Sequence, residues 1–246
     1  MMKKKNFLIL VTLCILIVGA FIATNMLAEP GLSQGISEND EANDILVADQ
    51  QIFGPLEPPA PAEPEKEPFK VVIDPGHGGE DPGAEGASGS YEKDFTLAVS
   101  LKVASLLEDV PDIEAYMTRD KDVFLSSETR DRPNFANELE ADLFISIHAN
   151  TFADPTVSGT ETFYYHDHSL GLANIIHRHV AKATGFRDRG VSQENFFVLR
   201  DTTMPATLLE IGYLTNPADE QTMLTEEFQQ AVAEAIVDGI KEYLGL

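Results

Sequence analysis

The chain has 246 residues, enough for one sizeable core or two small ones, and carries 41 acidic against 17 basic side chains, a formal net charge of −24. Such a chain is repelled by nucleic-acid phosphates and anionic lipid heads, which excludes a nucleic-acid partner. The single cysteine, Cys14, rules out an internal disulfide and any zinc site built from thiolates, so a metal would be held by His, Asp and Glu.

Residues 1–28 open with Lys3-Lys4-Lys5 and continue in an uncharged stretch from Asn6 to Ala28 rich in Leu, Ile, Val and Phe. This is the pattern of an export signal whose lysines stay in the cytoplasm. Phe7 to Ala23 is marginal for spanning a bilayer, and Met26-Leu27-Ala28 is only a fair cleavage site. The stretch is therefore read as a signal peptide or signal anchor, touching the membrane only through residues 7–27 if uncleaved. Cys14 within it is read as a small hydrophobe, because Val11-Thr12-Leu13 lacks the small residues of a lipid-attachment site. Either way the remainder faces outward, secreted or tethered to the membrane.

Residues 29–68 hold seven of the fourteen prolines and ten acidic residues against one lysine. A run such as Glu57-Pro58-Pro59-Ala60-Pro61-Ala62-Glu63-Pro64 makes neither helix nor packed core. It reads as a disordered, extended linker, reaching on the order of 100 Å at about 3.1 Å per residue.

From residue 69 to 246 the pattern is that of a single α/β domain. Strands are predicted at Phe69–Ile73, Asp112–Thr118, Leu143–Ile147, Thr160–Tyr165, Phe196–Leu199 and Thr207–Ile211. Helical patterns separate them near 91–108, 128–140, 169–184 and 226–243. Asn216-Pro217 has the form of an N-cap followed by proline at the first helical position, Thr225 that of a cap for the last helix, and Gly245 that of its end. Strands alternating with helices imply a mostly parallel sheet covered on both faces.

Four segments carry chemistry. In Asp74-Pro75-Gly76-His77-Gly78-Gly79 an apolar run ends in a turn with a histidine between glycines. It lacks the lysine and spacing of a phosphate-cradling loop. In Leu143–Asn150 an apolar strand delivers His148 at its carboxyl end, where active sites of open α/β sheets form. Each histidine alone also fits a structural role, but both fall at the same sheet edge. A catalytic zinc commonly takes three protein ligands, and two His with one Glu is a known set. The third ligand would come from the segment after the glycine turn, where position alone does not separate Glu92 from Asp94 or Glu85. Glu210 interrupts the apolar strand Thr207–Ile211. A buried carboxylate there needs a structural ion pair or a task such as general base beside a metal. His166, His168, His177 and His179 are read as solvated or structural. Arg119, Arg132, Arg189 and Arg200 are candidates to meet a substrate carboxylate.

Taken together and in order, these segments resemble the zinc-dependent N-acetylmuramoyl-L-alanine amidase family of the amidase-3 type. The resemblance spans residues 70–244. It is carried by Asp74–Gly79, Glu92-Lys93, Thr118-Arg119, Arg132 before Ala136-Asn137, and Ser146–Asn150. Gly159 before Tyr164-Tyr165, Arg189-Gly190-Val191, Val198-Leu199-Arg200, Leu209–Gly212 and Asn216 complete it. It implies that His77, Glu92 and His148 hold Zn2+ and that Glu210 is the catalytic glutamate. It also implies a twisted, about six-stranded sheet flanked by helices, acting on the amide between N-acetylmuramic acid and L-alanine in peptidoglycan. Some relatives carry an inserted helix that plugs the site. The short stretch between Asn150 and Gly159 leaves no room for one, so an open site is expected. The rival expectations are a zinc peptidase cutting wall peptide bonds and a degenerate peptidoglycan-binding domain. A monomer is expected.

Overall fold

The computed structural model describes residues 67–246; the expected membrane segment and nearly all of the expected linker lie outside these residues. Six strands form one sheet: β1 (Phe69–Pro75), β2 (Ile113–Met117), β3 (Leu143–Asn150), β4 (Thr160–Tyr164), β5 (Asp188–Gln193) and β6 (Ala206–Tyr213). Their order across the sheet is β2-β1-β3-β6-β4-β5. The first four of that row pair in parallel, β4 meets β6 antiparallel, and β5 runs parallel to β4.

The helices are α1 (Glu92–Leu107), α2 (Asp131–Glu138), α3 (Leu170–Thr184), α4 (Phe197–Arg200), α5 (Pro217–Met223) and α6 (Glu226–Leu244), with a 3₁₀ turn at Asp167–Ser169. Side chains of a strand alternate between faces, and the core divides accordingly. Val71, Ile73, Ile145, Ile147, Leu209 and Ile211 meet the long helices α1, α3 and α6 on one face. Val72, Phe144 and Leu208 meet Ala136 of α2 and Val198 and Leu199 of α4 on the other. Strands buried on both sides explain the near-continuous apolar runs in β1, β3 and β6. The two coverings are unequal, because α2 has eight residues and α4 four. Among the described residues no helix is long and apolar enough to cross a membrane.

The expected caps are present. Asn216 accepts hydrogen bonds from the amides of Ala218 and Asp219, Pro217 starts α5, and Thr225 caps α6, which ends at a left-handed Gly245. One expected strand is overturned: of Phe196–Leu199 only Phe196 is extended, and Phe197–Leu199 form most of α4. A four-residue apolar run cannot be assigned to strand or helix by periodicity, and here Val198 and Leu199 are buried while Phe196 is exposed. The sixth strand is β5, whose Asp-Arg-Gly-Val-Ser-Gln has no fully buried residue. It is an edge strand held by its ladder to β4, with a register shift near Thr160, and so offers no apolar signal.

Candidate metal centre

The turn after β1 places His77 in the left-handed region, φ 60°, an uncommon conformation for a residue with a side chain. Its neighbour Gly76 is required by close approach, since a Cβ there would lie 2.3 Å from the His148 imidazole. Gly83 is required likewise, because its Cβ would come within 2.6 Å of Glu92 Oε2 and 2.7 Å of the His77 ring. Two arginines fix this turn by its carbonyl groups. Arg119 donates to Pro75 O, Gly76 O and Lys93 O, and Arg132 to Pro75 O and His77 O. Arg132 also pairs at 2.6 Å with Asp74, a fully buried carboxylate that accepts from Thr118 and Ser146.

The structure brings His77, Glu92 and His148 together: one ligating atom from each lies within 4.8 Å of the others. Asp81 Oδ2 holds His77 Nδ1 at 2.9 Å, which turns Nε2 toward Glu92 Oε2 at 3.1 Å. Glu92 opens α1 and is buried. It accepts the backbone N–H of Ala84 and of Ala149 and lies 2.9 Å from His148 Nδ1. Burial alone would raise its pKa, but the hydrogen bonds and charges of His148 and His77 outweigh this and hold it far below the usual carboxylate range. Burial would lower the His77 pKa, and its bonds to Glu92 and Asp81 raise it instead. Of the other acids considered for the third ligand, Glu85 pairs through its backbone with Tyr91, and neither Glu85 nor Asp94 belongs to the group.

His148 on β3 is the register partner of Glu210 on β6, so the two side chains leave the sheet on the same face. Oε2 of Glu210 is buried with no hydrogen-bond partner among the described residues. Burial, followed by the negative charges of Glu92 and Glu161, pushes its pKa well above the ordinary value. Glu161 faces Glu210 across the antiparallel β4–β6 pair and accepts from Asn150 Nδ2 and Tyr213 Oη. A cleft of about 530 Å³ includes the group in its lining, together with Phe124, Phe196, Phe197, Asn150 and Thr151. It forms on the face with the shorter helices, where the sheet is least covered.

The donor set fits a divalent ion of zinc type. Two imidazoles and one carboxylate converge, one imidazole is oriented by a further carboxylate, and a carboxyl group with an unpartnered oxygen stands beside them. The remaining histidines stand elsewhere. His166 and His168 stack on each other at 5.1 Å, and His166 bonds Arg200 O. His177 is held between Thr162 and Asp188, and His179 pairs with Glu242. Sequence reasoning did not find Asp81 or Glu161. Asp81 reaches His77 through a loop bridge of Gly78 with Asp81, which has no periodic signature.

A sheet ending in this His/Glu/His group defines a family: residues 71–242 match the family model described as N-acetylmuramoyl-L-alanine amidase, and the chain belongs to that family. Among solved structures it is similar to the catalytic domain of CwlV, an N-acetylmuramoyl-L-alanine amidase from Bacillus (Paenibacillus) polymyxa var. colistinus. That match has a TM-score of 0.70 and 48% identity, covering 72% of this chain and 98% of that one. An N-acetylmuramoyl-L-alanine amidase from Clostridium difficile 630 matches with a TM-score of 0.70 and 38% identity, over 73% of this chain and 98% of that one. Among curated proteins, YqiI of Bacillus subtilis (strain 168), described as uncharacterized, is 41% identical over 75% of this chain and 90% of its own length. LytH of Staphylococcus aureus, described as a probable cell wall amidase, is 37% identical over 73% of this chain and 60% of its own length.

Proposed function

We propose that this chain is a zinc-dependent amidase that hydrolyses the bond between the lactyl group of N-acetylmuramic acid and the first L-alanine of the peptidoglycan stem peptide. The observation that carries the reading is the convergence of His77, Glu92 and His148 beside the unpartnered carboxyl of Glu210, within a cleft on a family-typical sheet. His77, Glu92 and His148 would hold the ion. The chemistry a bound zinc supplies there is Lewis acidity, which makes water nucleophilic near pH 7 and polarises the scissile carbonyl. Glu210 takes a proton from the attacking water and hands it to the departing alanine nitrogen, so the C–N bond breaks as a neutral amine leaves. Asp81 orients His77, and the N–H groups of Ala84 and Ala149 orient Glu92. In this reading residues 69–246 are the catalytic domain, 1–28 the export signal or anchor and 29–68 the linker, and the enzyme works outside the cytoplasm.

The test is digestion of wall sacculi by the purified protein, with and without a chelator, followed by identification of the new ends. An amidase releases intact stem peptides beginning with L-alanine, and the chelator stops it. Alanine left attached to the sugar would establish a peptidase instead, and no release would remove the hydrolase reading.

A further inference from the structure

The four arginines singled out from the sequence as able to meet a substrate carboxylate are engaged elsewhere. Arg119 and Arg132 are buried and donate to the carbonyl groups beneath the metal centre. Arg200 chelates Asp201 through Nε and Nη2 and gives Nη1 to Asn195. Arg189 lies over the Tyr213 ring with Nε 3.5 Å from Glu161, against residues that do not line the cleft.

A fifth arginine has a different setting. Arg130 precedes α2 with φ 58° and ψ 36°, the left-handed region that residues with side chains rarely adopt. Such a conformation persists where the surroundings enforce it, and it is commoner at binding sites. It sends the guanidinium over the Phe197 ring, 4.9 Å from its centroid, with Nη1 donating to Ser127 O at 2.6 Å. Phe197 and Ser127 both line the cleft, so the cation stands at its rim. Its Nε is 3.0 Å from Asp201 Oδ2, but that carboxylate is shared with Arg200. The neighbouring Asp131 is engaged by the Ser126 amide and the Thr129 hydroxyl. Nη2 of Arg130 has no partner among the described residues, and the side chain is 40% exposed. A planar, stacked guanidinium with free N–H groups is suited to a carboxylate.

Resting on the amidase reading, we propose that Arg130 is a specificity-determining residue that binds a carboxylate in the peptide portion of the substrate. The chemistry of the bond being cut selects that portion, because the lactyl carboxyl is consumed in the amide and any carboxylate therefore lies on the peptide side. In a chain of net charge −24, a cation at the rim also offsets the repulsion an acidic peptide would meet.

The experiment uses two soluble N-acetylmuramoyl peptides, identical except that one carboxylate beyond the first alanine is a primary amide in the second. The full-length protein should show a KM for the acid lower by roughly five- to tenfold, a modest ratio for a half-exposed charge pair. R130Q should abolish that ratio, with the loss falling chiefly on KM, and R130K should retain part of it. High salt should shrink the ratio in the unsubstituted protein. Affinities of the same pair for E210Q provide a readout without turnover. Absence of turnover of both peptides by the unsubstituted protein would count against the amidase reading, while the acid-to-amide affinity ratio would still decide the role of Arg130. The proposal is overturned if the unsubstituted protein does not distinguish the two peptides, or if R130Q distinguishes them as well as it does. Should R130Q fail to fold, the R130K ratio and the salt dependence decide in the same way.

Discussion

A carboxyl group buried next to two other carboxylates, with one oxygen lacking a donor, holds its proton more tightly than an exposed glutamate does. In the proposed mechanism that raised proton affinity favours transfer of a proton from the attacking water to Glu210. E210Q should lower kcat by roughly 10²–10⁴ and leave bound metal unchanged; full activity in that variant would remove Glu210 from the base role. His77 behaves differently. Its pKa is raised above 6.5, so protons compete for the imidazole from higher pH than for a free histidine. Metal affinity should therefore decline as pH falls, starting at a higher pH than an unperturbed histidine would set, which titration against a chromophoric chelator will measure. D81A removes the acceptor that orients His77 and should weaken metal binding about 10- to 100-fold in the same titration; unchanged affinity would show that the contact is incidental. His77 and His148 were readable in the sequence because glycines and an apolar strand frame them. Glu92 was not separable from Glu85 and Asp94 by spacing, because two backbone amides from Ala84 and Ala149 select it. The Ala149 amide lies 57 residues along the chain from Glu92.

At the scale of elements, the turn carrying His77 is tied to β3, to the segment after β2 and to α2 through one buried acid. Asp74 on β1 binds Ser146 on β3, Thr118 just beyond β2, and Arg132 on α2. Burial opposes its ionisation, yet the Arg132 charge and these three hydrogen bonds hold its pKa below 3.8. A folded-state pKa below the unfolded one gives stability that is complete above pH 3.8 and is lost as pH falls from there through the lowered value. D74A strands a buried guanidinium and should cost about 3–5 kcal/mol in urea denaturation at neutral pH, with a smaller penalty in strong acid. A penalty independent of pH would argue against the ionised pair. The elements that the sequence displayed well are those with a full buried face: β1, β3, β6 and the long helices. The order of β4 and β5 was hidden, because an exposed edge strand depends on a partner's ladder rather than on its own apolar pattern. The α4 turn was hidden for the opposite reason. Its one aromatic residue, Phe197, both packs against the core and lines the cleft, and apolar composition alone does not distinguish the two settings.

For the molecule as a whole, two cores on opposite faces of the sheet are complete without an ion, so metal should stabilise the domain rather than be needed to fold it. Added zinc should raise Tm, corresponding to about 4 kcal/mol at a thousandfold excess over Kd. A chelator should reverse the gain while far-UV circular dichroism stays native. An unfolded chelated protein, or a Tm indifferent to zinc, would contradict this. The adjacency of His148 and Glu210 across β3 and β6 has a further consequence. Their separation is an interstrand repeat of about 4.8 Å, inherited from backbone pairing and not from the fit of neighbouring side chains. Gradual repacking beneath them has no means of stretching or shrinking it. Only a slip in strand alignment does so, and a slip of one residue turns the carboxylate to the opposite face of the sheet. Divergence among proteins built on this frame is thereby channelled into the cleft lining, where Phe124, Ser127 and Phe197 lie, while the His148–Glu210 pair stays indexed to the sheet.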